Sequence, residues 1–152
     1  MLNIGDAAPE FELLDSDEKT VRLSDFRGQR VILFFYPKAG TSGCTTQACG
    51  FRDNYPQIEA AEGTVVGISP DEPAALAKWK VDEALPFTLL SDPDHRVAEA
   101  YGAWGEKVNY GRTYMGVIRS HYIVDAEGVL EDVQFKVSPQ NSIKRAMATL
   151  TG

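Results

Sequence analysis

Apolar residues along the chain occur in short runs separated by polar and glycine-containing segments, a pattern typical of alternating strands and helices. Two runs rich in β-branched and aromatic residues, 31–36 and 64–69, predict buried core strands. A shorter run at 87–90 predicts a third strand. Runs at 117–124 and 129–137 flank the turn sequence Asp-Ala-Glu-Gly and predict two further strands joined by that turn.

The N-terminal segment predicts a small hairpin, because residues 11–14 and 20–23 flank a polar turn. The helix that contains Cys44 is expected to break near Asn54–Tyr55, because Pro56 cannot donate the hydrogen bond that a continuous helix needs. The remaining predicted elements are a helical turn at 24–28, helices at 56–62, 70–81, 95–101 and from 138 onward, and a long glycine- and aromatic-rich loop at 102–116.

This order of elements predicts an α/β fold, since strands and helices alternate before a final hairpin and helix. The last helix is amphipathic, with Ile143, Ala146, Met147 and Leu150 on one face. A chain of 152 residues is long enough for one domain with a substantial core. No internal repeat or linker divides it, so we expect a single domain over residues 1–152.

Charge and hydropathy exclude several classes of partner. The net charge of −7 argues against binding to nucleic acid or to an anionic membrane surface. No apolar run is long enough to span a bilayer, and the acidic N-terminal segment has no signal-peptide pattern. We therefore expect a cytoplasmic protein, and in that compartment a disulfide is more often transient and catalytic than structural.

Both cysteines of the chain lie in the segment PKAGTSGCTTQACGFRD, which follows the first core strand. The order strand, loop and helix places Cys44 in the first helical turn, where free N–H groups and the helix dipole favour the reactive thiolate. The alternative is that Cys44 and Cys49 are small hydrophobic core residues. A zinc site is not expected, because His95 and His121 lack the usual ligand spacing.

The spacing Pro37-x-x-x-Thr41-x-x-Cys44 resembles the signature of the peroxiredoxins. The second cysteine in CTTQAC, followed by FRD, is similar to the bacterioferritin comigratory protein branch of that family. The similarity continues in order through FRG, SPD, LPF, LLSD, YG, IRS and VDAEG. The resemblance implies a thioredoxin-like fold with a mixed central sheet flanked by helices, and an N-terminal hairpin.

The resemblance also implies roles for individual residues. Cys44 is the peroxidatic nucleophile, and the backbone N–H groups of Gly43 and Cys44 bind the peroxide. Thr41 donates a hydrogen bond to the thiolate or the peroxide, although threonine at this place also fits a simple helix cap. Pro37 shields the cysteine from water, although a proline that merely ends a strand needs no such role.

Two further candidates lie outside this signature. The family places an arginine at the position of Arg119 beside the reactive cysteine; the alternative is an edge-strand arginine that faces solvent. Cys49 is the candidate resolving cysteine, and the alternative is a second core cysteine. Arg52 is interpreted as a structural ion-pair residue, and His121 as a structural histidine.

These observations predict a two-cysteine thiol peroxidase that reduces hydrogen peroxide and organic hydroperoxides and is recycled by thioredoxin or a similar thiol reductant. No cofactor or metal is implied, and the resemblance suggests a monomer. A disulfide reductase requires C-x-x-C and a copper carrier C-x-x-x-C, whereas this chain has four residues between its cysteines. A redox sensor that relays oxidation to a protein partner remains the alternative function.

Helix geometry adds one expectation about mechanism. If Cys44 and Cys49 share one regular helix, their Cα atoms lie roughly 8–9 Å apart. A disulfide needs Cα atoms closer than about 7 Å. We therefore expect the first helical segment to unwind before the two cysteines join.

Overall fold

A computed structural model of the chain describes residues 2–152. The strands are β1 (Glu12–Asp15), β2 (Thr20–Arg22), β3 (Arg30–Phe35), β4 (Gly63–Ser69), β5 (Thr88–Ser91), β6 (Trp104–Asn109), β7 (Arg112–Val117), β8 (Ser120–Val124) and β9 (Leu130–Gln134). The helices are α1 (Ser42–Asp53), α2 (Tyr55–Ala60), α3 (Pro73–Asp82), α4 (Arg96–Tyr101) and α5 (Pro139–Thr151), with one 3₁₀ turn at Leu23–Phe26.

Within residues 2–152, seven strands form one mixed sheet in the order β2-β1-β5-β4-β3-β8-β9. Strands β3, β4 and β5 run parallel, and β8 and β9 join antiparallel on the far side of β3. The N-terminal hairpin of β1 and β2 extends the other edge through β5. The predicted mixed α/β architecture is confirmed, and it matches the thioredoxin-like fold expected from the resemblance.

Strand β3 lies inside the sheet, between β4 and β8, and faces two hydrophobic layers. Its side chains alternate between the faces, as the pleat of a strand requires. Leu33 and Phe35 contribute to one buried cluster, while Ile32, Phe34 and the following Tyr36 contribute to the other. The second cluster also contains Cys44, so the predicted reactive cysteine lies on the face covered by α1 and α5.

The predicted loop at 102–116 is wrong, because the structure has an antiparallel hairpin there, β6 and β7. Tyr110 and Gly111 connect the strands with left-handed backbone angles, φ of 52° and 75°, as a tight two-residue hairpin turn requires. Much of this hairpin is exposed. Its apolar residues therefore lack the alternation that burial of one face imposes, and its glycines suggested a loop.

The predicted continuous strand at 117–124 is also interrupted. Strand β7 ends at Val117 and β8 begins at Ser120, so Arg119 lies in the connection and not inside a strand. The chain leaves its pairing with β6 at this point and begins to pair with β3. This change of partner strand is a tertiary event that the apolar run did not reveal.

Other sequence-based boundaries are confirmed. Helix α1 ends at Asp53 and α2 begins at Tyr55, so the break falls where Pro56 predicted it. The hydroxyl of Ser138 accepts a hydrogen bond from the Asn141 N–H and caps α5. Among residues 2–152, no helix is both long enough and apolar enough to cross a membrane.

Candidate active site

The loop between β3 and α1 carries the signature residues, and contacts from the next strand hold it. The Asp71 carboxylate, just after β4, accepts hydrogen bonds from the Ala39 N–H and the Ser69 hydroxyl, both at 2.7 Å. Gly40 then adopts a positive φ of 85°, which a residue without a Cβ tolerates. Helix α1 begins two residues later, with Thr41 in the N-cap position.

Cys44 lies in the first turn of α1 and its side chain is fully buried. The Arg119 guanidinium contacts it, with Nη2 at 3.5 Å and Nη1 at 3.6 Å from Sγ. A Cβ at Gly43 would lie 3.0 Å from the Arg119 Nη2, so glycine at this position leaves the guanidinium its space. A cationic group therefore lies against the sulfur atom of the predicted nucleophile.

Pro37 and Thr41 lie in the loop before this turn. The Thr41 hydroxyl donates to the Lys38 carbonyl at 2.9 Å and makes no hydrogen bond that caps α1. The N-terminal N–H groups of Gly43 and Cys44 precede the first intrahelical hydrogen bond, which runs from the Thr45 N–H to the Thr41 carbonyl. These two donors therefore have no acceptor within the helix.

A cavity of about 570 Å³ opens beside the site, and Pro37 and Arg119 form part of its wall. The Lys107 ammonium lines it too and donates to the Val117 carbonyl at 2.8 Å. Burial, together with the neighbouring Arg119 charge, lowers the pKa of Lys107. Apolar side chains complete much of the wall, namely Val108, Ile118, Phe135 and Val137.

Cys49 lies on the same helix as Cys44, and both are free thiols. Its Sγ donates to the Glu83 carboxylate at 3.5 Å. Burial raises the pKa of the Cys49 thiol, and Glu83 adds to this effect while Arg52 opposes it. Arg52 also forms an ion pair with Asp53 and donates to the Glu83 carbonyl, which fits its structural interpretation.

Sequence reasoning missed the residue that holds Arg119 in place. The Arg119 Nη1 donates to the Gln47 Oε1 at 2.9 Å, and the Gln47 Nε2 donates to the Ser142 hydroxyl at 2.9 Å. The Ser142 oxygen lies 2.7 Å from His121 Nδ1, and His121 Nε2 lies 3.5 Å from the Asp132 carboxylate. The sequence offered one signal for these contacts, because Gln47, His121 and Ser142 are polar residues within segments that were predicted to pack against the core.

No group of three or more His, Cys, Asp or Glu side chains within residues 2–152 could hold a metal ion. The chemistry that the described residues support is that of a thiol. They combine a buried sulfur, a cationic guanidinium and two free backbone donors at a helix N-terminus.

Comparison with known proteins agrees with this chemistry. Residues 4–133 match the AhpC/TSA family. The chain is 49% identical over 144 residues to peroxiredoxin Bcp of Escherichia coli, covering 93% of this chain and 92% of that protein. It is 41% identical over 149 residues to peroxiredoxin Bcp of Bacillus subtilis, covering 98% and 95%.

Solved structures show the same relationship. Peroxidoxin BcpB of Mycobacterium tuberculosis superimposes with a TM-score of 0.88 at 33% identity, over 99% of this chain and 97% of that chain. A cysteine-to-serine mutant of PrxQ from Xylella fastidiosa gives a TM-score of 0.92 at 26% identity, over 99% and 96%. The chain therefore belongs to the AhpC/TSA family, in the bacterioferritin comigratory protein branch of the peroxiredoxins.

Proposed function

We propose that this protein reduces hydrogen peroxide and organic hydroperoxides through a sulfenate formed on Cys44. The observation that carries the proposal is the contact of both Arg119 terminal nitrogens with the buried Cys44 sulfur. Family membership supports thiol peroxidase activity in general. A solved relative from Xanthomonas campestris, 26% identical, is described by its alkyl peroxide reduction activity, and this supports an organic substrate here.

In the first step the Cys44 thiolate attacks one peroxide oxygen. The S–O bond forms as the O–O bond breaks, so that the sulfur is oxidised to sulfenic acid and the peroxide is reduced by two electrons. The departing oxygen takes a proton and leaves as water or alcohol. Arg119 and the N–H groups of Gly43 and Cys44 stabilise the negative charge that moves onto the peroxide oxygens.

In the second step Cys49 attacks the Cys44 sulfenate, and water leaves as the disulfide forms. Both cysteines lie on the continuous helix α1, where five residues of regular helix separate their Cα atoms by roughly 8–9 Å. This is too far for a disulfide. Helix α1 must therefore unwind, and in doing so it releases its contacts with Glu83 and Ser142.

A thiol reductant, thioredoxin or a similar protein, then reduces the disulfide and returns α1 to its helical form. Two electrons and two protons from the reductant restore both thiols. We propose that the protein acts as a cytoplasmic monomer, without a bound cofactor or metal. The alternative is a redox sensor that passes its oxidation on to a protein partner. Such a sensor would turn over slowly with thioredoxin, because it need not be recycled rapidly.

Steady-state peroxide consumption with thioredoxin, thioredoxin reductase and NADPH tests the cycle. The wild-type protein is expected to consume hydrogen peroxide and an alkyl hydroperoxide. Cys44→Ser should lose this activity, because serine provides no thiolate at neutral pH. Cys49→Ser should still form the sulfenate once but should not turn over with thioredoxin. Substantial activity in Cys44→Ser would overturn the mechanism, and a single fast turnover followed by slow recycling would favour the sensor.

Unwinding of α1 has its own measurement, amide hydrogen exchange over residues 43–55 in the reduced and oxidised protein. Protection is expected to fall on oxidation, because the helix must open to bring the two sulfur atoms together. Residues 96–101 of α4, which pack in the other hydrophobic layer, provide the internal reference and should keep their protection. Unchanged protection in a protein with a complete Cys44–Cys49 disulfide would show that the helix does not unwind.

A further inference from the structure

Four polar side chains form a line behind Arg119, away from the sulfur. Gln47, Ser142 and His121 are fully buried, and Asp132 is 7% exposed. They come from four different elements, α1, α5, β8 and β9, which meet beside β3. Buried polar groups cost stability unless they are hydrogen-bonded, so a line of such residues is informative where each contacts the next.

The hydrogen bonds along this line have a required direction. A guanidinium only donates, so the Arg119 Nη1 fixes the Gln47 Oε1 as an acceptor at 2.9 Å. The Gln47 Nε2 is then a donor and needs an acceptor, which is the Ser142 hydroxyl oxygen at 2.9 Å. The orientation of Gln47 towards Arg119 therefore depends on the position of one serine oxygen.

That oxygen has an alternative position. A serine hydroxyl in a helix can rotate and donate to the carbonyl four residues earlier, which for Ser142 is that of Ser138. In the structure it lies instead 2.7 Å from His121 Nδ1. The imidazole thus holds the serine oxygen where the Gln47 amide reaches it.

The other side of the imidazole lies near Asp132. His121 Nε2 is 3.5 Å from Asp132 Oδ2, and Asp132 Oδ1 accepts from Gln134 Nε2 at 2.9 Å and from the Val133 N–H at 3.0 Å. The carboxylate is thereby anchored to β9. It places an anionic group near the ring, although within residues 2–152 His121 Nε2 itself makes no hydrogen bond.

We propose that His121 is a positioning residue for the reaction at Cys44, acting through Ser142 and Gln47 on the Arg119 guanidinium. When the imidazole is present, Ser142 accepts from Gln47 and Gln47 accepts from Arg119, so the guanidinium stays against the sulfur. Without it, Ser142 turns away, the Gln47 amide loses its acceptor, and Arg119 loses its support. This inference rests on the proposed function in one respect, that the reaction at Cys44 is peroxide reduction. The contacts from His121 to Arg119 do not depend on it.

Two substitutions at one position separate this role from core packing. His121→Asn keeps a polar atom near the place of Nδ1 and can still hold Ser142, whereas His121→Gln places its polar atoms near Nε2 and Asp132. His95→Gln is the matched control. His95 is the N-cap residue of α4, and its ring stacks on that of Trp104 with 3.8 Å between the centroids, so it is not part of the line of polar contacts. All variants carry Cys49→Ser, so that Cys44 is the one thiol that reacts.

The first measurement is the rate of Cys44 alkylation by iodoacetamide, and the second is the rate of sulfenate formation with hydrogen peroxide. His121→Gln should lower both rates by about threefold or more, in the range of couplings within one hydrogen-bond network. His121→Asn should stay within about twofold of the parent in both rates, and His95→Gln should equal the parent. Equal losses in His121→Asn and His121→Gln would overturn the proposal, because they would reflect packing alone.

A double-mutant cycle tests the route through Arg119. In an Arg119→Ala background, His121→Gln should change neither rate further, since the guanidinium that it positions is gone. Additive losses would show that His121 does not act through Arg119. If His121→Gln does not fold, Ser142→Ala replaces it in the cycle, because this change removes the Gln47 acceptor and should give the same loss.

Alkylation also separates this proposal from the proposed function, because it needs no peroxide. The expected alkylation pattern in a protein that consumes no peroxide would refute the peroxidase and leave the positioning role in place. Rapid peroxide consumption with equal alkylation rates in His121→Gln and the parent would refute the positioning role and leave the peroxidase in place.

Discussion

At the scale of single residues, the proposed reactivity of Cys44 depends on its contact with Arg119. Its two terminal nitrogens contact the sulfur at 3.5 and 3.6 Å, while Nη1 also donates to Gln47. A planar guanidinium can make these contacts together because its donors point in fixed directions. The charge of the residue and the shape of its donor group are therefore separate contributions, and a substitution can separate them.

Arg119→Lys is expected to lower the rate of peroxide reduction by about tenfold or more, although it keeps the positive charge. A lysine ammonium cannot contact the sulfur and the Gln47 oxygen with the same geometry. The measurement is the single-turnover rate of Cys44 oxidation. Arg112→Lys, on the exposed β7, is the control and should react like the wild type. An unchanged rate in Arg119→Lys would show that charge alone is sufficient.

At the scale of elements, α1 packs so closely against α5 that a side chain at Gly50 would require Ile143 to move. A Cβ at Gly50 would overlap Ile143 Cδ1 and lie 2.6 Å from Cγ1. From sequence alone this glycine only weakens a helix, by roughly 1 kcal/mol relative to alanine. The structure adds a reason for it, because the approach of α1 to α5 also brings Gln47 to Ser142.

Gly50→Ala is therefore expected to destabilise the protein despite its better helix propensity. Overpacking costs about 1–3 kcal/mol, which equals or exceeds the roughly 1 kcal/mol gained from propensity. Urea unfolding of Gly50→Ala, Ile143→Ala and the double variant measures the effect. The double variant should be more stable than the sum of the single losses, because the smaller side chain at position 143 makes space for the new methyl group. Strict additivity would show that Ile143 moves aside at no cost.

At the scale of the whole molecule, the central sheet joins two chemically different layers. One face of β3 contributes to the cluster that contains Leu33 and Phe35, and the other contributes to the cluster that contains Cys44. The line of polar contacts from Arg119 to Asp132 connects β9 and α5 to the neighbourhood of Cys44. We therefore expect the Asp132 carboxylate to affect both the stability of the fold and the contacts that lead to Arg119.

Stability at acid pH follows from this carboxylate. Burial alone raises the pKa of Asp132, but the contact with His121 and the hydrogen bonds from Gln134 and Val133 outweigh it and leave the pKa below its ordinary value. The folded protein thus binds this proton less readily than the unfolded chain does. The contribution to stability is complete above about pH 4, the ordinary aspartate range, and is lost as the pH falls through the lowered value.

Asp132→Asn is expected to lower stability at neutral pH and to flatten the loss of stability below about pH 4. Urea unfolding at a series of pH values measures both effects. Asp17→Asn, in the exposed turn between β1 and β2, is the control and should follow the wild-type curve. A pH dependence in Asp132→Asn identical to that of the wild type would contradict this assignment.

Local chemistry made much of the protein predictable from its sequence. The run of β-branched and aromatic residues before Pro37 predicts β3 because a buried strand needs such side chains. The break between α1 and α2 follows from Pro56, since proline lacks the N–H that a helix interior uses. The signature from Pro37 to Cys44 identifies the family for the same reason, because its parts lie within one loop and one helical turn.

Tertiary structure decided what depends on residues far apart in the chain. Arg119 is 75 residues from Cys44, and the change of partner between β7 and β8, which a run of apolar letters does not encode, leads the chain to the sulfur. The contact of Gln47 with Ser142 depends on how closely α1 approaches α5, which Gly50 permits. His121 acquires its place beside Ser142 only when β8, β9 and α5 have packed around it, because side-chain geometry across elements is set by register and packing.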